Sequence, residues 1–130
     1  MLTDGQKIAT PRTSAYHYPD ATVVCAPPRF DDKDDRAIVN PTVLVEVLSP
    51  TTADYHRGGK LAHYRTLETL KDYLIASWEP RMLEHHHRMG ADQWLVTLVR
   101  AGSVEIESIG VTLALDELWR DLDWIRSGTR

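Results

Sequence analysis

The sequence has 130 residues, of which 42% are hydrophobic and 26% are charged. This length suits one domain with one modest core, and the composition is that of a folded rather than a disordered chain. The 15 Lys and Arg residues against 19 Asp and Glu give a formal net charge of −4. The chain therefore has no overall positive field for coating nucleic-acid phosphates, although the balance leaves room for a local basic groove.

Membrane and secretory classes are disfavoured by the distribution of apolar residues. No apolar run approaches the roughly 20 residues that a bilayer span needs, and the first residues contain no apolar signal segment. The single cysteine, Cys25, permits no internal disulfide. We therefore expect a cytoplasmic protein with no membrane partner, and we treat residues 1–130 as a single domain.

The first half of the chain predicts two buried strands. Residues 1–17 are polar and show neither a strand nor a helix period. Two apolar, β-branched runs, 21–26 and 42–48, are typical of strands that are covered on both faces. The charged run 29–38 between them predicts a solvated loop.

The second half predicts a helix, further strands and a final helix. Leu61, Tyr64, Leu67 and Leu70 recur at a spacing near three and would share one helix face, after cap candidates at 51–54. The later elements follow in chain order: strands at 73–78, 81–89, 94–99 and 103–106, then an amphipathic helix over 115–125. This order predicts an α/β fold with a mixed sheet and at least one crossover.

Glu46 is the most unusual residue because it is the single charge in the apolar run Thr-Val-Leu-Val-Glu-Val-Leu. A carboxylate inside such a strand loses several kcal/mol of hydration unless a cation compensates it. We therefore predict that Glu46 meets a metal ion or a lysine. The alternative is a glutamate that points to solvent from a half-exposed strand.

Asp20 and Lys60 are placed to complete a site around Glu46. Asp20 lies at the start of the first predicted strand, so pairing of the two strands would bring both carboxylates together, and a divalent cation such as Mg²⁺ would relieve their repulsion. Lys60 lies early in the next predicted helix and could stabilise a developing anion near the strand ends. Taken singly, Asp20 could be a turn residue and Lys60 a surface lysine.

These residues lie in motifs that resemble a known family. Tyr18-Pro-Asp-Ala-Thr-Val-Val-Cys, then Val43-Leu-Val-Glu-Val-Leu-Ser-Pro, and then Arg57-Gly-Gly-Lys with Tyr64 resemble the Uma2 family (DUF820). Its members are restriction-endonuclease-like bacterial proteins of the PD-(D/E)XK nuclease superfamily. The resemblance runs from about Thr3 to Asp123 and implies a restriction endonuclease-like mixed β-sheet flanked by helices.

The resemblance also implies a role for each site residue. Asp20 and Glu46 would be catalytic and would bind Mg²⁺ or Mn²⁺, with the Val47 carbonyl as a further ligand. Lys60 would be the catalytic lysine, since the plain superfamily position is occupied by Leu48, and Tyr64 would support it. The implied partner is DNA.

The chain also departs from the family pattern. It resembles the C-terminal two-thirds of a family domain, without the usual N-terminal helix and hairpin and without a glutamate and a histidine that line the site. His56 and Thr42 stand where aspartate is common. Because the missing elements would leave a sheet face and an edge uncovered, we expect a homodimer.

Two functions follow. The first is a Mg²⁺-dependent DNA endonuclease that hydrolyses phosphodiester bonds. The second is a catalytically incomplete, non-enzymatic dimeric domain or gene remnant.

The run His85-His86-His87 is interpreted as a solvated strand face that binds metal only adventitiously, since alternation lets only His85 and His87 share a ligand. The four tryptophans are interpreted as core or interface anchors.

Overall fold

The computed structural model describes residues 2–3, 5–48, 59–78 and 81–126. Within these ranges the chain forms eleven strands and two α-helices. The strands are β1 Leu2–Thr3, β2 Lys7–Thr10, β3 Ala15–His17, β4 Ala21–Val23, β5 Ala37–Ile38, β6 Val43–Leu48, β7 Asp72–Trp78, β8 Arg81–Gly90, β9 Gln93–Val99, β10 Ser103–Ile106 and β11 Val111–Ala114. The helices are α1 Leu61–Tyr64 and α2 Leu115–Arg126.

The central feature is a six-stranded mixed sheet in the order β1-β4-β6-β7-β8-β9. Strands β6 and β7 are parallel, and every other neighbouring pair in this sheet is antiparallel. A parallel pair needs a crossover connection, and the chain between β6 and β7 contains α1. The structure therefore confirms the predicted mixed α/β sheet with a crossover.

Each face of this sheet is covered by a smaller sheet and carries its own apolar cluster, so the expectation of an uncovered sheet face is wrong for the described residues. On one face, Leu44 and Leu48 of β6 pack with Tyr64 and with Ile8 and Ile38 of the three-stranded sheet β3-β2-β5. On the other face, a cluster joins strands β6, β7 and β8 to the β10-β11 hairpin and α2. Its buried members are Val43, Leu74, Ala76, Leu83, Val104, Ile106, Leu115 and Trp119.

The N-terminal residues and the charged run depart from the expectations. Residues 7–17 form the antiparallel pair β2-β3, although their sequence shows no strand period. The run 29–38 is not wholly a solvated loop, because Ala37 and Ile38 are buried and Ile38 pairs with Ile8 in parallel. Strands β2 and β5 are stabilised because they cover the large sheet. This is a tertiary effect that cannot be predicted from the local sequence pattern.

The predicted helix is shorter than its apolar spacing suggests. Helix α1 ends at Tyr64, and Leu67 and Leu70 lie beyond it in turns, yet both are buried in the same cluster as Tyr64. The cap candidates at 51–54, as well as His56 and Arg57, lie outside the described residues. The later strands and α2 lie close to their predicted positions, and β11 is an additional strand that was not predicted.

The tryptophan interpretation is tested at two positions. Trp119 is buried in the second cluster, and Trp94 packs against the first. The side chains of Trp78 and Trp124 lie outside the described part. Neither α1 nor α2 is long and apolar enough to cross a bilayer, among the residues that the structure describes.

Candidate active site

Strand pairing brings Asp20 next to Glu46. Strand β4 runs antiparallel to β6 with Ala21 opposite Val45, so the preceding residue, Asp20, falls beside Glu46. The Asp20 backbone N–H donates to the Val45 carbonyl at 2.9 Å and extends this ladder by one bond. The two carboxylates thus lie at the same end of neighbouring strands, as the sequence predicts.

The Glu46 side chain is buried, with only 1% of the residue exposed to solvent. Lys60 Nζ lies 3.2 Å from Glu46 Oε1, and the Tyr64 hydroxyl donates to the same oxygen at 2.9 Å. Burial raises the pKa of Glu46 above its usual value, although the Lys60 charge and the Tyr64 hydroxyl act in the opposite direction. The solvent-facing alternative for Glu46 is therefore wrong, and Lys60 is not merely a surface lysine.

Asp20 has a structural contact as well as a position in the cluster. Its Oδ2 accepts a hydrogen bond of 2.6 Å from the Val47 backbone N–H. A residue in an extended strand directs its N–H and C=O to the same side, so the Val47 carbonyl is also directed toward the side where Asp20 lies. Asp20 is exposed, whereas Glu46 is not, so the pair has one face open to solvent.

The donor set suits a hard divalent cation. Two carboxylates and a backbone carbonyl are oxygen ligands of the kind that Mg²⁺ and Mn²⁺ prefer. The charge of Asp20 contributes to the raised pKa of Glu46, and a cation held between the two carboxylates would remove that repulsion. Asp20, Glu46 and Val47 are therefore chemically fit to hold such an ion.

Two further residues border this cluster that sequence reasoning did not select. The buried His17 ring lies 5.0 Å from the Tyr64 ring, centroid to centroid, and 4.9 Å from the His63 ring. Burial, reinforced by the charges of His63 and Lys60, lowers the pKa of His17 to about 4, so this imidazole is neutral at pH 7. A lone histidine in a polar segment carries no periodic signal, and only the packing of β3 on the large sheet brings it here.

Tyr73 is the second residue. Its ring packs edge-on against Tyr64 with centroids 5.2 Å apart, and its hydroxyl is buried without a hydrogen-bond partner in the described structure. Burial raises the pKa of Tyr73, and the charges of Glu46, Glu84 and Asp20 add to the shift. An aromatic residue in an apolar strand is typical of the hydrophobic core, so the sequence alone gives no indication that Tyr73 borders the candidate site.

The histidine run does not form the solvated face that was expected. Only 12% of the His85 side chain is exposed, and His85 and His87 both contact the fully buried carboxylate of Asp72. His86 points to the opposite face. There its ring centroid lies 5.9 Å from that of Tyr73, and its Nε2 forms a hydrogen bond with the Glu84 carboxylate. Asp72 is the reason for the discrepancy, because a partner on the neighbouring strand cannot be recognised from the run itself.

The comparisons with known proteins identify the fold and the family. A crystal structure of "a putative nuclease belonging to DUF820" from Anabaena variabilis superposes with a TM-score of 0.68 over 92% of this chain and 67% of that one, at 10% identity. The fold is therefore that of restriction endonuclease-like α/β proteins.

Two relatives from Synechocystis sp. show sequence similarity. "Uncharacterized protein sll1609" is 35% identical over 95 residues, which cover 73% of this chain and 54% of the relative. "Uncharacterized protein slr1290" is 37% identical over 117 residues, which cover 89% and 60%. The chain thus spans little more than half the length of these relatives.

The family itself is established by a match over most of the chain. Residues 2–122 match Uma2, described as "Putative restriction endonuclease". This range includes Asp20, Glu46, Lys60 and Tyr64, and it agrees with the resemblance carried by the sequence motifs. The chain belongs to the Uma2 family.

Proposed function

We propose that this protein is a divalent-metal-dependent endonuclease that hydrolyses phosphodiester bonds in DNA. The observation that carries the proposal is the buried Glu46 carboxylate, which lies beside Asp20 and within 3.2 Å of Lys60. A buried acid with a raised pKa next to a second acid and a lysine is typical of a catalytic site rather than of a structural core. The family description and the nuclease-like fold support the same reaction class.

Each residue of the candidate site has a distinct role in the proposed reaction. Asp20, Glu46 and the Val47 carbonyl would hold Mg²⁺ or Mn²⁺, which when bound supplies water activation and polarisation of the phosphate. Lys60 presents its ammonium group to the same place and would stabilise the negative charge that develops on the phosphoryl oxygens. Tyr64 holds Glu46 Oε1 through its hydroxyl and so fixes the orientation of the carboxylate.

The proposal is tested by cleavage of supercoiled plasmid DNA with Mg²⁺ or Mn²⁺. We expect Asp20→Asn and Lys60→Met each to lower the cleavage rate by about 10²–10³-fold, the usual loss when one stabilising group is removed. Asparagine keeps an oxygen that can accept from the Val47 N–H, so the first variant removes the charge and spares the backbone contact. The matched controls, Asp35→Asn and Lys33→Met, change exposed residues of the same types.

The outcomes separate catalysis from folding. Circular dichroism should be the same for all four variants. Cleavage by Asp20→Asn or Lys60→Met at the rate of the controls would contradict the assigned roles. No cleavage of DNA by wild-type protein with either metal would overturn the endonuclease proposal.

A non-enzymatic dimeric domain is the second candidate function. The observation that favours it is the outer strand β9, where Leu95, Val96 and Leu98 are between 44 and 53% exposed. Apolar side chains on an edge strand are typical of an interaction surface. Micromolar Mg²⁺ or Mn²⁺ binding that Asp20→Asn weakens, measured by isothermal titration, would argue against this candidate.

Two further predictions belong to this proposal. We propose a cytoplasmic location for the protein, and fractionation of cells that express it would test that placement. The interpretation of residues 1–130 as one domain predicts a single cooperative thermal transition, which calorimetry would test.

A further inference from the structure

A cluster of side chains of the types that can bind metal ions lies on the other face of the sheet. Asp72 begins β7, and β8 runs antiparallel to it with His87 opposite Asp72 and His85 opposite Leu74. Residues directly opposite one another, and residues two apart in a strand, share a face. Asp72, His85 and His87 therefore lie together on the face of Leu74, whereas Glu46 lies on the face of Leu44.

The three side chains converge on one point. His85 Nε2 lies 2.7 Å and His87 Nδ1 lies 2.8 Å from the same oxygen, Asp72 Oδ1. One ligand atom from each residue can be chosen so that all three lie within 4.8 Å of one another. In this structure the two imidazoles share hydrogen bonds with one carboxylate oxygen, and a metal ion held by the same three atoms would take the place of the N–H protons in those bonds.

A contact outside this triangle fixes the carboxylate. The Ser108 hydroxyl donates to Asp72 Oδ2, the oxygen that the histidines do not contact. Metal-binding carboxylates are commonly oriented by such an outer hydrogen bond. Ser108 therefore leaves Oδ1 directed at the two histidines.

We propose that Asp72, His85 and His87 form a binding site for Zn²⁺ or a similar borderline-soft divalent ion, with Ser108 as a positioning residue. Two imidazoles and one carboxylate are a known zinc donor set and leave a fourth position for water. Imidazole ligands favour zinc over the Mg²⁺ that suits the oxygen ligands at Asp20 and Glu46.

Zinc coordination would require the three ligand atoms to rearrange around the ion. Zinc ligands at about 2.0–2.2 Å in a tetrahedral arrangement lie about 3.3 Å apart. The two contacts to Asp72 Oδ1, now 2.7 and 2.8 Å, would therefore lengthen by roughly half an ångström, and the two histidine nitrogens, which lie within 4.8 Å of each other, would adopt the same spacing. Both histidines belong to one strand whose pairing with β7 and β9 fixes its position. Such a rigid base holds ligands more precisely than a loop does.

An ion can reach the site from solvent. The His87 side chain is 32% exposed, and an open groove of about 680 Å³ runs past it. Ser108 and Glu107 also line this groove, as does Lys71. The charged residues of the groove lining are two acids, Glu68 and Glu107, and one lysine, Lys71.

Metal binding to tag-free full chain tests the proposal. We expect isothermal titration with ZnCl₂ to show one high-affinity site per chain, and Co²⁺ to give the intense visible absorption of tetrahedral coordination. His85→Gln and His87→Gln should each weaken Zn²⁺ binding at least tenfold. Ser108→Ala should weaken it by about 10–100-fold, as loss of an outer-shell partner does.

Control variants separate this site from other ligands on the protein. His63→Gln removes a histidine elsewhere, and Asp20→Asn removes an acid of the proposed catalytic site; both should bind Zn²⁺ as wild type does. Thermal unfolding in EDTA checks that each variant folds. Absence of Zn²⁺ binding by folded wild-type protein would overturn the proposal, as would equal affinity in the double variant His85→Gln/His87→Gln. Loss of the high-affinity site in Asp20→Asn or His63→Gln would equally overturn it.

Discussion

At the scale of single residues, the Tyr64 hydroxyl is one of the groups that hold the Glu46 carboxylate. Tyr64→Phe keeps the ring, which packs against His17 and Tyr73, but removes the donor to Glu46 Oε1. A lost hydrogen bond to a buried charged group costs about 1.5–3 kcal/mol. We therefore expect a lower free energy of unfolding and a further rise in the pKa of Glu46.

Denaturant unfolding at pH 7 measures the first effect, and the acid limb of the pH profile of the proposed cleavage activity would report the second. Tyr18→Phe is the matched control because Tyr18 is 61% exposed, and it should change stability by less than about 0.5 kcal/mol. Equal stability of the two variants would show that the hydroxyl of Tyr64 contributes nothing.

His17 predicts a pH dependence of stability. Its folded-state pKa of about 4 lies below the ordinary histidine pKa of 6.5, so the unfolded chain binds the proton more readily. Stability is therefore unaffected above pH 6.5, falls as the pH drops toward 4, and levels off below it; the full loss is on the order of 3 kcal/mol. His17→Gln should reduce this loss, measured by thermal unfolding between pH 4 and 8, and an unchanged pH profile would contradict the assignment.

At the scale of elements, Arg88 ties strand β8 to the segment that follows α1. Its guanidinium donates hydrogen bonds to the carbonyls of Leu70 and Leu67 at 2.7 and 2.8 Å. It also stacks on Trp94, with the guanidinium carbon 4.4 Å from the ring centroid. Since α1 carries Tyr64, this contact indirectly fixes one wall of the candidate site. A lysine cannot reproduce the planar fork of donors or its stacking.

Arg88→Lys should therefore destabilise the protein by about 2–3 kcal/mol, because buried carbonyls lose their charged donors. The exposed Arg100 provides the matched control Arg100→Lys, which should be neutral within about 0.5 kcal/mol. Chemical denaturation measures both. If Arg88→Lys is as neutral as the control, the guanidinium fork does not hold the segment in place.

At the scale of the whole molecule, the outer strand β9 predicts self-association. Leu95 and Leu98 are 53 and 52% exposed on the last strand of the large sheet. A two-fold dimer would bury both and pair the open edge. Light scattering at micromolar concentration should give twice the monomer mass for wild type and the monomer mass for Leu95→Lys/Leu98→Lys.

Val111→Lys is the control variant, because it adds a positive charge at an apolar surface residue outside β9. Val111 is 43% exposed and lies on the β10-β11 hairpin. This variant should remain dimeric. A wild-type protein that is monomeric at these concentrations would refute the homodimer prediction.

The sequence alone determined the parts of the fold that carry strong local patterns. The apolar run around Glu46 predicted a buried strand, and the spacing of Leu115 and Trp119 predicted the last helix. A single carboxylate in an apolar strand also predicted that Glu46 is buried near a cation, because burial of an uncompensated charge is too costly.

Only the tertiary structure decided the features that depend on a neighbour distant in sequence. Short strands such as β2 and β5 exist because they cover the large sheet, and their own residues show no period. Asp72 meets His85 and His87 through strand register, and His17 reaches Tyr64 through packing of one sheet on another. Such contacts join residues far apart in the chain, so no local pattern records them.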